Sequence, residues 1–477
     1  MSYIPVIGLE IHAELLTHSK VFCSCSAEFG GLENTRVCPR CAALPGTLPI
    51  FNREVAVFAI KAGFALGCKI HNYSSFDRKN YFYPDLPKAY QITQFEHPIC
   101  TDGRVNIGEK DIRINRIHIE EDAGKLIHDA DEGVSLADYN RCGVPLIEIV
   151  TEPDIRSSEE AKRFVEEVAL RLKYTGVCDA KMEQGSLRVD VNISLMQSGS
   201  DTFGVRAEIK NLNSLKSIGR AIEYEIIRQK KILDSGGQVM QETRRYNEEY
   251  NDTRPLRSKE KAHDYRYFPE PDIPPVWMTD EEIAAIQSSM PEMPHERIER
   301  YMYDYHLPND DARLLTCDKA LSDFYDRTVS LYPSYRTVAN LILVELLRNM
   351  NVSGICASDL ALPSDALAKL ARMTDEGRIS KNAAKNLLSI LFEQGGDPME
   401  IASQEGMLLE ENTETIKAAI HDVIFEHEQQ VQSYLLGNEK VFGFLMGQVM
   451  KQVGNSANPP VVRALLQETL NSMQKKE

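Results

Sequence analysis

No apolar run in this 477-residue chain is long enough to cross a membrane. The most apolar stretch, residues 338–344, is interrupted by Asn340 and stops at Glu345, far short of the roughly 20 residues a span requires. The opening Met1-Ser2-Tyr3-Ile4-Pro5 carries no basic residue, and Glu10, His12 and Glu14 follow at once. No secretory signal is read, and a cytoplasmic location is expected. Positive charge is also scarce: 54 Lys and Arg stand against 71 Asp and Glu, a formal net charge of −17. That excludes a global positive field holding nucleic acid non-specifically, so any RNA contact needs local patches. The patterns GxxxxGK[ST], HExxH and GxSxG are all missing, which removes the main support for P-loop NTPases, zincins and α/β-hydrolases. Phosphate chemistry, if present, must rest on metals and side chains.

The composition is that of an ordinary globular protein, 43% hydrophobic and 26% charged. The length exceeds what one core supports and predicts two to four domains of roughly 100–200 residues.

Of ten cysteines, four are patterned: Cys23-Ser24-Cys25 and, after twelve intervening residues, Cys38-Pro39-Arg40-Cys41. Two close pairs around a loop suit tetrahedral zinc, and in a reducing compartment thiolates are favoured over disulfides. Four thiolates leave zinc no open position, so the site is expected to be structural. The other six cysteines, scattered singly, are expected to be small core residues.

Strict alternation marks the N-terminal segment. Ile7, Leu9, Ile11, Ala13 and Leu15 fall on one face of a strand, with Gly8, Glu10, His12 and Glu14 on the other. The same period sets Arg188, Asp190 and Asn192 against the aliphatics of 187–193, and Arg206, Glu208 and Lys210 against those of 205–210. Residues 144–150 carry Glu148 in mid-run, and 117–122 end in Glu120, Glu121 and Asp122. For any one strand, a wet sheet face with cross-strand ion pairs accounts for the pattern. Repetition over five strands points instead to a face gathering Glu10, His12, Glu121, Glu148, Asp190 and Glu208, a set able to supply hard ligands to two Mg²⁺ ions.

Residues 76–88 mix Arg78, Lys79 and Lys88 with aromatics and prolines. This loop-like segment is suited to holding an anion such as nucleotide phosphate or a tRNA end, with a packed surface loop as the alternative. Residues 263–272 form a second such segment. Ser157 with Glu160 reads as a capping box opening a helix, another helix runs from Ser214 to Gly236-Gly237, and after the prolines of 269–275 and 291–294 helical patterns replace strands.

Val6-Ile7-Gly8-Leu9-Glu10-Ile11-His12, the 76–88 segment, Pro145-Leu146-Ile147-Glu148-Ile149-Val150-Thr151-Glu152-Pro153-Asp154, Glu208-Ile209-Lys210-Asn211-Leu212-Asn213-Ser214 and the 263–272 segment together resemble the B-subunit family of aspartyl/glutamyl-tRNA amidotransferases, essentially end to end. The resemblance implies an α+β fold: an antiparallel-sheet cradle over residues 1–292, related to glutamine synthetase and guanidino kinases and carrying the zinc segment 23–41. An all-α helical domain at 293–400 and an all-α tail at 401–477 that touches tRNA would follow. It implies ATP-dependent phosphorylation of the side-chain carboxylate of Glu-tRNA(Gln) or Asp-tRNA(Asn), then transamidation by ammonia. His12, Glu121 and Glu148 would form one Mg²⁺ site and Glu10, Asp190 and Glu208 another, with Glu120 as the alternative to its neighbour Glu121. The chain has no Ser-Ser-Lys amidase signature, so ammonia is expected from a partner, the family's amidase or A subunit, with a small C subunit completing a heterotrimer.

The tail is not a basic clamp: residues 401–477 hold six Lys or Arg against ten Asp or Glu. The 437–451 segment matches the family's tail motif, leaving Lys440, Lys451 and the 454–459 loop to read tRNA shape. Two other readings stand beside this one: a ligase acting on a free amino acid, and a non-catalytic zinc-bearing scaffold that recruits tRNA.

Overall fold

The computed structural model describes residues 2–129, 133–257, 265–409, 413–453 and 459–474. The chain divides into two compact units, Met1–Pro294 and His295–Glu477.

The first unit holds β1 (Tyr3–Glu14), β2 (Lys69–Ile70), β3 (Tyr73–Ser74), β4 (Asp77–Asn80), β5 (Tyr90–Thr93), β6 (Cys100–Asn106), β7 (Asp111–Glu121), β8 (Lys125–Asp129), β9 (Val134–Asp138), β10 (Pro145–Thr151), β11 (Leu187–Gln197), β12 (Ala207–Leu212), β13 (Glu242–Asn247), β14 (Asp252–Arg257), β15 (Phe268–Pro269) and β16 (Val276–Trp277). Nine of these form the main sheet, in the order β14-β13-β12-β11-β1-β10-β7-β6-β2. Its neighbours pair antiparallel except β12 with β13. The long strand β1 is central, and its alternation is the reason: Ile7, Leu9, Ile11 and Ala13 are buried on one face.

Helices α1 (Arg53–Ala65), α2 (Ser158–Tyr174) and α3 (Leu215–Asp234) share a hydrophobic cluster with those residues, through Ala59, Ile60, Phe164, Val168, Ile218 and Ile222. Each buried Val, Ile, Leu or Phe side chain among them contributes about 2 kcal/mol, which fixes which face of the sheet is dry. Each helix starts where a polar side chain accepts from the first turn: Asn52 from Glu54 N, Ser157 from Glu160 N and Ser214 from Ser217 N. The opposite face of the sheet carries the alternating polar residues of β1, β10 and β11, among them Glu10, His12, Glu148, Asp190 and Asn192.

Two expectations change here. Residues 76–88 are not wholly loop, because 77–80 form β4, which pairs with β5 and β15 in a small three-stranded sheet. Among the scattered cysteines, Cys100, Cys142 and Cys178 are buried, whereas Cys317 and Cys356 are exposed and fill no core.

In the second unit every described element is helical, from Pro294–Tyr303 to Pro459–Gln474. It has two separate hydrophobic clusters, one spanning Tyr301 to Ala402 and one Ile416 to Leu470. Leu445 and Val449 of the 437–451 segment are buried in the latter, while Lys440 and Lys451 are exposed. The expected loop at 454–459 lies, but for Pro459, outside the described residues, as do Lys475 and Lys476.

Candidate functional site

Antiparallel register assembles the polar face. Glu10 of β1 pairs with Asp190 of β11, His12 with Glu148 of β10, Glu148 with His118 of β7, and Asn192 of β11 with Glu208 of β12. Residues directly opposite on one face have side chains within about 5 Å, so four strand pairings suffice to converge six potential ligands. They line a cavity of about 310 Å³, together with Lys79, Arg116, Arg206, Lys210, Tyr265 and Tyr267.

Two groups form within it. His12, Glu120 and Glu148 offer ligand atoms all within 4.8 Å of one another, and so do Glu10, Asp190 and Glu208. In the first, His12 Nε2 lies 3.7 Å from Glu148 and 3.9 Å from Glu120. Glu120 accepts from Thr93 Oγ1 at 2.9 Å, and Lys79 Nζ stands 3.9 Å away. Burial opposes ionisation of Glu120, but Lys79 and His118 overcome it and hold the carboxyl well below the usual range.

In the second group, Lys210 Nζ bridges Asp190 at 2.7 Å and Glu208 at 2.9 Å. Asn192 donates to Glu10 at 2.9 Å, and Thr243 to Glu208 at 2.7 Å. Burial, then the charges of Glu148, Glu208 and Asp190, raise the Glu10 carboxyl above its ordinary value of 4.5. Excess negative charge that a lysine only partly offsets is the electrostatic condition for binding a divalent cation. Oxygen ligands of Mg²⁺ at 2.0–2.1 Å are separated by about 3–4 Å, so the carboxylates of both sets fit a hard ion after a small closure, with the His12 nitrogen a softer addition to the first.

Glu121, expected as a ligand beside His12 and Glu148, does not belong to this face. Its carboxylate accepts from Lys88 Nζ at 2.6 Å and from Ile92 N at 2.9 Å, on the other side of β7. Successive side chains of a strand point oppositely, and Glu120 takes the place in the cavity. Two of the three candidate phosphate-binding cations are likewise engaged elsewhere. Arg78 pairs with Glu270 at 2.6 Å and Asp272 at 2.9 Å and covers the Tyr90 ring, and Lys88 is held by Glu121. Only Lys79 of the three lines the cavity. In the second aromatic segment, His263 and Asp264 lie outside the described residues, while Tyr265 and Tyr267 form cavity wall, Tyr267 stacked on Phe95 with centroids 4.4 Å apart.

Sequence reading missed His118. It is buried, 3.1 Å from Glu148 and 3.3 Å from Glu120 through Nε2, and so joins the two carboxylates from behind. Burial disfavours its charge, but Glu148 and Glu120 outweigh that and raise it to about 9. The signal was present: His118 and Glu120 are two apart and share a face, while Ile117 and Ile119 occupy the core.

Away from the cavity, Cys23, Cys25, Cys38 and Cys41 bring their sulfurs within 4.8 Å of one another. Cys38 and Cys41 Sγ are 3.8 Å apart, matching the edge of about 3.8 Å expected for a tetrahedron with Zn–S bonds near 2.3 Å. The donor set fits zinc.

A mixed α/β unit whose largely antiparallel sheet presents two potential metal-ligand groups in one cation-rimmed cavity, followed in the chain by a helical region, defines the class: a two-unit α/β and helical protein with a metal-competent cavity. Compared with known proteins, residues 5–284 match the GatB/GatE catalytic domain and residues 323–470 the GatB domain. Full-length relatives named as the B subunit of aspartyl/glutamyl-tRNA(Asn/Gln) amidotransferase include those of Ruminiclostridium cellulolyticum, 50% identical over 99% of this chain and 98% of the relative, and Thermoanaerobacter pseudethanolicus, 49% identical over 99% and 100%. That of Myxococcus xanthus is 47% identical over 98% of each chain. The chain belongs to the GatB/GatE family of amidotransferase B subunits.

Proposed function

We propose that this chain is the kinase and transamidase component of a tRNA-dependent amidotransferase, acting on glutamate or aspartate misloaded on tRNA(Gln) or tRNA(Asn). The observation that carries the reading is the pairing of two hard-ligand groups across one cavity, His12, Glu120 and Glu148 facing Glu10, Asp190 and Glu208. Family membership and the relatives' names support the substrate. The cradle's likeness to glutamine synthetase and guanidino kinases is part of the same reading.

A carboxylate does not exchange oxygen for nitrogen unless that oxygen becomes a good leaving group. Its oxygen attacks the γ-phosphorus of ATP, ADP departs, ammonia adds to the acyl carbon, and phosphate leaves with the amide formed and one proton lost from nitrogen. Two Mg²⁺ ions held by the two groups would stabilise charge on the transferring phosphoryl group. The chain's own residues do the rest. Cross-strand pairing holds the six ligands on a rigid sheet, so little reorganisation is needed at the moment of reaction. Lys79, Arg116 and Arg206 line the cavity as positive charge for phosphate oxygens, and Tyr265 and Tyr267 form part of its wall.

Ammonia comes from a partner amidase, the A subunit, and a small C subunit completes the complex. Zinc at Cys23, Cys25, Cys38 and Cys41 is structural. The reaction is placed in the cytoplasm as part of this reading; among the described residues no helix is long and apolar enough to cross a membrane. The test is substrate choice: the assembled complex should amidate misacylated tRNA and leave free glutamate untouched. Equal efficiency on free glutamate would replace this reading with a free amino-acid ligase.

A further inference from the structure

Lys20 is completely buried, 0% exposed. Its ammonium has two partners, the Tyr139 carbonyl at 3.1 Å and Cys41 Sγ at 3.8 Å. Among the described residues no carboxylate lies within 4.0 Å of it, and Glu121, which lines the same pocket, is taken by Lys88 at 2.6 Å. A buried ammonium without a counter-charge costs several kcal/mol, so a lysine in this position calls for an anion, and a carbonyl is not one.

The sulfur it faces belongs to the four-cysteine group. Four thiolates around Zn²⁺ carry a formal charge of −2, itself costly to bury unless offset. The main chain ties the same residue to the other cysteine pair, because Lys20 N donates to Cys25 O at 3.0 Å. Cys38 N in turn donates to Cys41 Sγ at 3.1 Å, so Cys41 is the sulfur that collects donors.

We infer that Lys20 is a positioning residue that supplies the counter-charge of the four-cysteine metal site and anchors that site to the main domain. The inference rests on the zinc reading above. Groups that donate to metal ligands from outside typically change metal affinity 10–100-fold.

The test is zinc release from the full-length chain to a chromophoric chelator, under reducing conditions and after loading with zinc, for wild type, Lys20→Met, Lys20→Gln and Lys20→Arg. Both neutral variants should release zinc roughly 10–100 times faster than wild type, and Lys20→Arg, which keeps the charge, should restore slow release. Two neutral variants of different polarity guard against one of them failing to fold. Wild-type release rates in the neutral variants would overturn the inference and leave the zinc reading intact. Fast release from Lys20→Arg as well would assign the effect to packing and also overturn it. A wild-type chain that takes up no zinc when reduced and metal-replete would overturn both.

Discussion

Glu120 and Glu121 are adjacent on one strand, yet their carboxylates serve opposite sides of the sheet: Glu120 joins His12 and Glu148, and Glu121 is locked to Lys88 at 2.6 Å. The two therefore separate function from stability. Glu120→Ala should abolish metal-dependent ATP turnover and weaken Mg²⁺ binding. Glu121→Ala should leave Mg²⁺ binding intact but destabilise the fold by about 3 kcal/mol, because it strands a buried ammonium. Isothermal titration with Mg²⁺ and urea unfolding of each variant check this, and the reverse pattern would restore Glu121 as the ligand.

His118 should act through Glu148 and Glu120, which it joins at 3.1 and 3.3 Å. Replacing it by Phe keeps the volume and removes the tie, and Mg²⁺ affinity should fall about 10–100-fold. An unchanged affinity would reduce His118 to core filling.

Lys210 occupies the approach to Asp190 and Glu208 with its own positive charge. In Lys210→Met the metal-free protein should be less stable, since three carboxylates then repel one another unscreened. Added Mg²⁺ should recover more stability than it does in wild type, as a ligand that binds only the folded state must. Thermal melts at several Mg²⁺ concentrations measure the difference.

The pH dependence follows from Glu10. Its raised folded value means that, without metal, its contribution to stability is fully present below the ordinary 4.5 and is lost as pH rises through the folded value. Metal needs the ionised carboxylate, so binding must release a proton, and affinity must drop as the pH falls towards 4.5. Titration in two buffers of different ionisation enthalpy counts the protons. Glu10→Gln should abolish the part of the release that this residue supplies, and wild-type binding without proton release on mild acidification would contradict the assignment.

Much of this was legible in the chain. The period of two at 7–15 and 187–193 fixed which residues share a face, because a shift of one residue would bury Glu10 and expose Ile11. What periodicity does not encode is which strands are neighbours. Convergence of Glu10 with Asp190, or of His12 with Glu148, depends on pairings between segments more than 100 residues apart. The misplacement of Glu121 had a different cause. Both faces of the end of β7 are buried, so exposure gives no cue there, and only the parity of Ile117 and Ile119 assigns Glu120 to the cavity. Arg78 and Lys88 read as phosphate ligands because composition shows positive charge but not its partners, which Glu270, Asp272 and Glu121 turn out to be.

That the two ligand groups form one phosphoryl-transfer site is tested by ADP formation in the assembled complex, dependent on misacylated tRNA, for Asp190→Ala and Glu120→Ala, one from each group. Assembly of the complex is verified for each variant by size-exclusion chromatography. Either substitution alone should lower the rate at least about 100-fold, on the order of 3 kcal/mol in the barrier, with assembly unchanged. Undiminished ADP formation in an assembled complex carrying either variant would contradict a shared site.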